Sequence, residues 1–467
     1  MRKILVITGF FVLAVFIASA QPSRPPLAII NVNVIDATGS PVQTGMTVII
    51  QDDRIINVGK TAKTKPPKNA KIVDARDKFL IPGLWDMHVH TIFGDWIPGG
   101  KEVSLPLFVA NGVTGIRDMG GDLDTLLQWR SQISAGSILG PRMIISGPML
   151  DGPKSHFPSS VSIATTDEGR KAVDDLKAKG VDFIKVQSYI TRDGYFAVSN
   201  ETKKLGITLV GHVPDSIRAS EAIDAGQKSI EHLTGIFEGA STAEDSFIQG
   251  SSKGPKRYLD TYNDALATAL ISRMARNHTW LVPTLVWERG QWLVDDIDYS
   301  HNPELKYAPT SWQHKSWPSF TKGILAELDT DEVSVRRRFV QKEFEIVYAM
   351  HKAGVPVMAG TDTAAAVAVL PGFSLHTELE CFVQAGFTPM EALQTATLNP
   401  AKFLGLQSQL GTVEKGKLAN LVLLDANPLD DIKNTRKIAA VVLNGRLLDR
   451  VELDQILNQI ATYASSH

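Results

Sequence analysis

The segment GLWDMHVH, residues 83–90, is apolar until it ends on two histidines, His88 and His90, one residue apart. In a β-strand, residues two apart share a face. The two imidazoles therefore project together and can hold one metal ion. His-X-His alone more often packs or lies at a surface. Four further segments change its weight. DFIKVQ carries Lys185, TLVGHV carries His212, SIEHL carries His232, and PVMAGTD ends on Asp362. Each polar group closes a short apolar run. Polar and charged side chains are rarely buried unless paired or ligated. The set points to a metal centre whose ligands come from the ends of several strands.

Lys185 is the odd member. An ammonium has no acceptor and repels a cation. Burial depresses a lysine pKa and leaves a reactive neutral amine. Such an amine can add carbon dioxide, losing a proton, to give a carbamate whose two oxygens can bridge two ions. The plain alternative is a structural salt bridge.

The elements that must position these groups alternate along the middle of the chain. Short apolar strands are read in LWDMHVH, VTGIRDM, RMIISGP, DFIKVQ, TLVGHV, SIEHL, TWLVPTL and PVMAGTD. Helical segments such as TDEGRKAVDDLKAKG, GYFAVSNETKKLG and SIRASEAIDAG separate most of them. Repeated strand-then-helix units imply parallel βαβ pairing. Eight such strands fit an α/β fold of the (β/α)8 TIM-like barrel type, whose active sites lie at the C-terminal ends of the strands. The competing open doubly wound sheet lacks a G-x-G-x-x-G after its first strand. Residues 237–345 break the rhythm and read as an insertion after the seventh strand, its tryptophans indicating packing.

Strand-like segments return at both ends, in LAIINVNVIDA, MTVIIQDDRIINVG and AKIVDA, and again in LANLVLLDANP and KIAAVVLNGRLL. This predicts a small β-sandwich built from residues 21–81 and 408–467 around a barrel over 82–407. Residues 1–20 have two basic residues, an apolar run and Ala-Ser-Ala, the layout of a cleaved secretory signal. The rival reading is an uncleaved anchor of borderline length. Export, periplasmic or extracellular, without stable membrane insertion after cleavage, is the expectation. The single cysteine, Cys381, excludes an intrachain disulfide. Of the 467 residues, 43% are hydrophobic and the formal net charge is −2. That composition suits a large core and gives no basic surface for nucleic acid.

Taken together, IPGLWDMHVH, GPRMIISGPMLDG, DFIKV, GHVPD, SIEHLTG, AGTDT and the tail EALQTATLNPAKFLG…GTVEKGKLANLVLLDANPL resemble the amidohydrolase superfamily, on the branch near imidazolonepropionase-like hydrolases and Xaa-Pro dipeptidases. The resemblance implies a barrel with a β-sandwich from both chain ends, and two divalent ions, usually zinc. His88 and His90 would hold the more buried ion, His212 and His232 the second. Carboxylated Lys185 would bridge them. Asp362 would touch the first ion and move the proton of a metal-bridging hydroxide. The implied reaction is hydrolysis of a C–N bond in a small molecule, an Xaa-Pro-like dipeptide or an N-acyl amino acid. A deaminase or cyclic-amide hydrolase on the same scaffold, and a non-catalytic exported binding protein, are the alternatives. A homo-oligomer is compatible with all three. Two features depart from the family. Ala419–Asn420 stands where Ala-Asp is usual, and Lys185 separates this chain from true imidazolonepropionases, which lack the bridging lysine.

Further candidates are weaker. Tyr189 and His156 follow barrel strands and could meet substrate. Arg117 could bind a substrate carboxylate, though pairing with an acid is the commoner fate. His278 falls at the opposite face. His376, at a helix start, is placed near the pocket mouth. The Trp287–Trp292 region could form a lid, with core packing as its plainer role.

Overall fold

The computed structural model describes residues 24–94, 96–155, 157–328 and 332–467. The signal-peptide reading of residues 1–20 and the candidate His156 lie outside the described residues. Among the described residues, no helix is long and apolar enough to cross a membrane.

The chain ends combine as their composition suggests. Strands from Leu27–Val34 to Phe79–Pro82 and, from the far end, Leu421–Leu424, Ile438–Leu443 and Arg446–Asp449 form one eight-stranded sheet. The join is antiparallel pairing of Phe79–Pro82 with Leu421–Leu424. Its buried face gathers Ile29, Val32, Val48, Ile50, Leu80, Leu421 and Val442. The hydrogen bonding describes one mixed sheet. Asn420, the departure from the family tail, accepts the Asn444 backbone N–H at 2.7 Å and so holds a turn of this sheet.

The middle of the chain is parallel. Leu84–Val89, Val113–Asp118 and Arg142–Ile145 form a three-stranded sheet. Ser160–Ser162, Met149–Asp151, Phe183–Val186, Thr208–Gly211, Ser229–Glu231 and Trp280–Val282 form a six-stranded one. Leu84–Val89 and Phe183–Val186 are buried at every position. That is the signature of parallel strands covered on both sides. The eighth expected strand forms no ladder. Residues 357–363 make two isolated parallel bridges instead, Val357 to Leu281 and Thr363 to Val89. The segment thereby links the edge of the six-stranded sheet to Leu84–Val89 in a TIM-barrel-like arrangement. Pro356 has no N–H to give, and a Cβ on Gly360 would stand 2.8 Å from the His88 Cβ. The backbone passes that close because this residue is glycine.

The helices follow their sequence signals. Thr166–Ala178 starts on a capping box between Thr165 and Glu168, which satisfies two orphan N–H groups at once. It buries Ala172, Val173 and Leu176 against the sheet. Arg192–Leu205 ends on Gly206 in the left-handed conformation. Apart from the strand Trp280–Val282, the described part of the irregular region is largely helical. Its first part, including Asp264–Asn277, precedes Trp280–Val282, so the excursion begins one strand earlier than expected. The remainder, from Leu285–Trp292 to Val333–Lys352, follows that strand. Trp312 and Trp317 are buried, in line with packing.

Candidate metal centre

Strand ends deliver the histidines to one place. His88, His90 and His232 are buried and His212 is half-buried. Ring centroids lie 4.6 Å apart for His88 and His232, 5.0 Å for His212 and His232, and 5.7 Å for His88 and His90. Asp362 sits among them. Its Oδ1 is 3.4 Å from His88 Nε2 and 3.3 Å from His90 Nε2, and its Oδ2 is 3.9 Å from His232 Nε2. Donor atoms of His88, His232 and Asp362 fall within 4.8 Å of one another, a group that could hold a metal ion.

Every histidine has its other nitrogen engaged. His88 Nδ1 faces Glu231 Oε2 at 3.0 Å, and His90 Nδ1 faces the Gly120 carbonyl at 2.8 Å. His212 Nδ1 meets Ser188 Oγ at 2.8 Å, and His232 Nδ1 meets Thr284 Oγ1 at 2.7 Å. Such contacts fix the ring and, for the carboxylate and carbonyl, place the proton on Nδ1. Nε2 is left as the ligand atom. The fit to a cation shows in what is left over. His88 Nε2 and Asp362 Oδ1 are buried with no hydrogen-bond partner. Both carry lone pairs, and burying them unpaired is costly. A divalent ion would satisfy both.

The electrostatics agree. Burial, then the neighbouring Lys185 charge, holds His88 and His212 well below the ordinary histidine value. Burial and the His88 charge do the same to His232. These rings are neutral, as metal ligands must be. His90 goes the other way: burial opposes its charge, but Asp362 and Asp118 outweigh it. Lys185 is fully buried, and burial pulls its amine down to about 8 despite the opposing charges of Glu231 and Asp362. Among the described residues no carboxylate is within salt-bridge distance of it, so the ion-pair alternative is not realised in this geometry.

Backbone strain gathers here. His232, Thr284 and Asp362 have φ of 58°, 47° and 55°. The left-handed region is unfavourable for such residues, by roughly 1–2 kcal/mol each. Gly211, with φ 133°, lets the chain turn just before His212, and a Cβ there would collide with the Val186 carbonyl.

Several contributors were not singled out from sequence. Glu231, adjacent to His232, accepts from Arg117 at 2.8 and 2.7 Å as well as from His88. Arg117 thus pairs with an acid inside the fold, donating also to the Met87 carbonyl at 2.6 Å and Ser229 Oγ at 3.1 Å. Asp86 accepts from Thr361 Oγ1 at 2.7 Å and from its N–H at 3.1 Å, tying down the segment before Asp362. Burial, opposed by these bonds, raises Asp86 to about 7. Charged residues inside otherwise apolar strands were the available signal for all three. Trp287 packs on His232 with centroids 4.6 Å apart, so this part of the excursion does reach the site. Phe93 packs on His90 at 4.7 Å, and Trp96, Phe157 and Phe320 continue that aromatic wall.

Three further candidates have these places. His376 is not at a pocket mouth: it is buried, with Nδ1 on Thr435 Oγ1 at 2.9 Å and Nε2 on the Asn111 carbonyl at 3.1 Å. His278 ends the helix Asp264–Asn277 with φ 51°, away from the centre. Tyr189 is 38% exposed, and its backbone N–H donates to Asp151 Oδ1 at 2.7 Å.

Comparison with known proteins agrees with this geometry. Residues 79–448 match the amidohydrolase family. Ochratoxinase from Aspergillus niger is 24% identical, over 87% of this chain and 83% of its own. Imidazolonepropionase from Shouchella clausii is 23% identical over 87% of each. The crystal structure of a Xaa-Pro dipeptidase with bound methionine superposes with a TM-score of 0.68 at 22% identity, covering 91% of this chain and all of that one. With a family match over most of its length and a buried histidine–aspartate centre to go with it, the chain belongs to the amidohydrolase family and is a metal-dependent hydrolase of C–N bonds.

Proposed function

We propose that this hydrolase works with two divalent ions, zinc by its nitrogen and oxygen donors, and cleaves an amide or peptide bond in a small exported-compartment substrate. His88 and His90 would hold one ion, His212 and His232 the other, and Lys185 would bridge them as a carbamate. The ions would supply an activated water and a polarised scissile carbonyl. Asp362 Oδ1 faces both His88 and His90 and is the group placed to accept the water's proton and return it to the departing amine. The rings of His88 and His90 hold their positions through Glu231 and Gly120. The aromatic wall beside His90 offers an apolar surface to one side of the substrate.

The observation that carries this reading is three buried imidazoles around one carboxylate, with the half-buried ring of His212 beside His232 and all four rings tied at Nδ1. The depressed amine of Lys185 supports the carbamate, because carbon dioxide adds only to a neutral amine. Likeness to a Xaa-Pro dipeptidase supports a dipeptide substrate, with N-acyl amino acids as the related class. The relatives named imidazolonepropionase and dihydroorotase favour cyclic amides as a second reading. Export rests on the N-terminal sequence alone.

Asp362→Asn tests the proton transfer. Turnover should fall by about 100-fold or more while bound metal, counted per chain, stays as in the wild type. Full activity in that variant contradicts the mechanism.

A further inference from the structure

Among the described residues, two buried acceptors beside the centre have no donor. Asp151 is fully buried; its Oδ1 accepts the Tyr189 N–H at 2.7 Å, while Oδ2 has no hydrogen-bond partner. Gln187 is 5% exposed, and its Oε1 is likewise unpartnered. The fold places them together. Leu150 and Val186 are register partners in a parallel ladder, so Asp151 lies opposite Gln187, and Met149 and Lys185 share their face one step earlier. Gln187 Nε2 reaches back to Met149 Sδ at 3.7 Å. Met149 in turn adjoins the metal centre: a Cβ on Gly120 would stand 3.0 Å from its sulfur and 3.2 Å from His90 Cε1. Both acceptors therefore lie on the Lys185 side of the centre, within one side chain of His90.

A buried carboxylate oxygen and a buried amide oxygen without donors are costly to keep unless something supplies N–H groups. Among the described residues no protein group, Lys185 included, hydrogen-bonds to either oxygen. Met149 offers sulfur only, and the Tyr189 N–H is already given to the other carboxylate oxygen. Arg117, the nearest guanidinium of the inner strands, gives its bonds to Met87, Ser229 and Glu231. The donor that matches an anionic oxygen beside a neutral one is an ammonium, which presents three N–H bonds and a positive charge.

We propose that Asp151 and Gln187 receive the protonated amino group of the substrate. The substrate class is then aminoacyl compounds with a free amine, dipeptides among them, in preference to N-acyl amino acids. This rests on the amidohydrolase reading above and narrows it. A site built to hydrogen-bond a substrate group strongly rejects the analogue lacking it, because its own buried groups are then left unpaired.

The test uses a panel of dipeptides, Xaa-Pro and Xaa-Leu, each matched to its des-amino counterpart such as propionyl-proline for alanyl-proline. The zinc-loaded wild type should favour the free amine by about 100-fold or more in kcat/KM. In Asp151→Asn the side chain still accepts from Tyr189 but offers N–H where Oδ2 was, and the preference should fall to within a few-fold of unity. Binding gives a readout apart from turnover. In an Asp362→Asn background, calorimetric Kd values should show the same preference for the free amine, and Asp151→Asn added to it should erase that preference. Equal treatment of both series by the wild type, or an equal loss on both series in Asp151→Asn, would overturn the inference while leaving amide hydrolysis standing. Hydrolysis and binding of neither series would instead count against the dipeptide reading on which the inference rests.

Discussion

Replacing Glu231 by glutamine probes how the centre is held together. The wild-type carboxylate accepts from Arg117 at 2.8 and 2.7 Å on one side and from His88 at 3.0 Å on the other, with the Ser229 hydroxyl also donating to it beside Arg117. Neither Arg117 nor Glu231 has any exposed surface. A glutamine can turn its carbonyl to only one of the two. Facing Arg117, it presents an amide N–H to His88 Nδ1, which moves the ring proton to Nε2, the atom beside Asp362. The guanidinium also loses its countercharge in a site closed to water. Breaking a buried pair from one side costs about 3–5 kcal/mol. Against a total stability of roughly 5–15 kcal/mol, that is a large fraction. Disturbing the partner of a metal-bound histidine should also weaken metal affinity by about 10–100-fold. Urea unfolding of metal-free protein measures the first effect, and zinc competition with a chromophoric chelator the second. The two separate in Arg117→Met/Glu231→Gln, which removes the unpaired charge. It should recover most of the stability and none of the metal affinity. Stability in E231Q within about 1 kcal/mol of wild type, or no recovery in the double variant, refutes the reasoning.

Two further expectations concern protons and a histidine. Burial depresses Lys185 from 10.5 to about 8, so between those values the unfolded chain binds the additional proton. Metal-free, carbonate-free protein should therefore gain stability as pH rises through that window, by up to roughly 3 kcal/mol from this group. Denaturant midpoints of wild type and Lys185→Met across pH 8–10.5 check it, and parallel curves contradict it. His376 is pulled by burial, with the Arg436 charge adding, to about 3, so the folded state holds it neutral. Its contribution is present above the ordinary histidine value and is lost as pH falls from there towards 3. His376→Gln should flatten that part of the stability profile and leave metal content unchanged; a loss of metal would return His376 to the site.

The proposed ligands stood out in the sequence because strand period and position coincide. His88 and His90 lie two apart at the end of a fully buried strand, His212 and His232 each follow a strand, Lys185 lies within one, and Asp362 follows the bridged segment. What holds them was harder to read. Glu231 and Arg117 announce themselves only as opposite charges in two apolar strands 114 positions apart, and nothing local says they meet. His376 sits in a helix with ordinary amphipathic spacing; its partners, Asn111 and Thr435, come from distant segments. The segment before Asp362 read as a strand from its apolar residues. Pro356 and the close approach at Gly360 reduce it to bridges. The approach of Trp287 to His232 follows from how a long helical excursion folds back, which periodicity does not encode.

The account turns on the metal. The most direct measurement is elemental analysis of metal per chain, on protein prepared without chelator and with bicarbonate present, for wild type and Lys185→Ala. Two ions per wild-type chain and at most one in the variant are the result predicted from the four histidines, Asp362 and a bridging Lys185. One ion in both would remove Lys185 from the centre and bring the cyclic-amide reading forward, and none in either, even after adding zinc, would contradict the account.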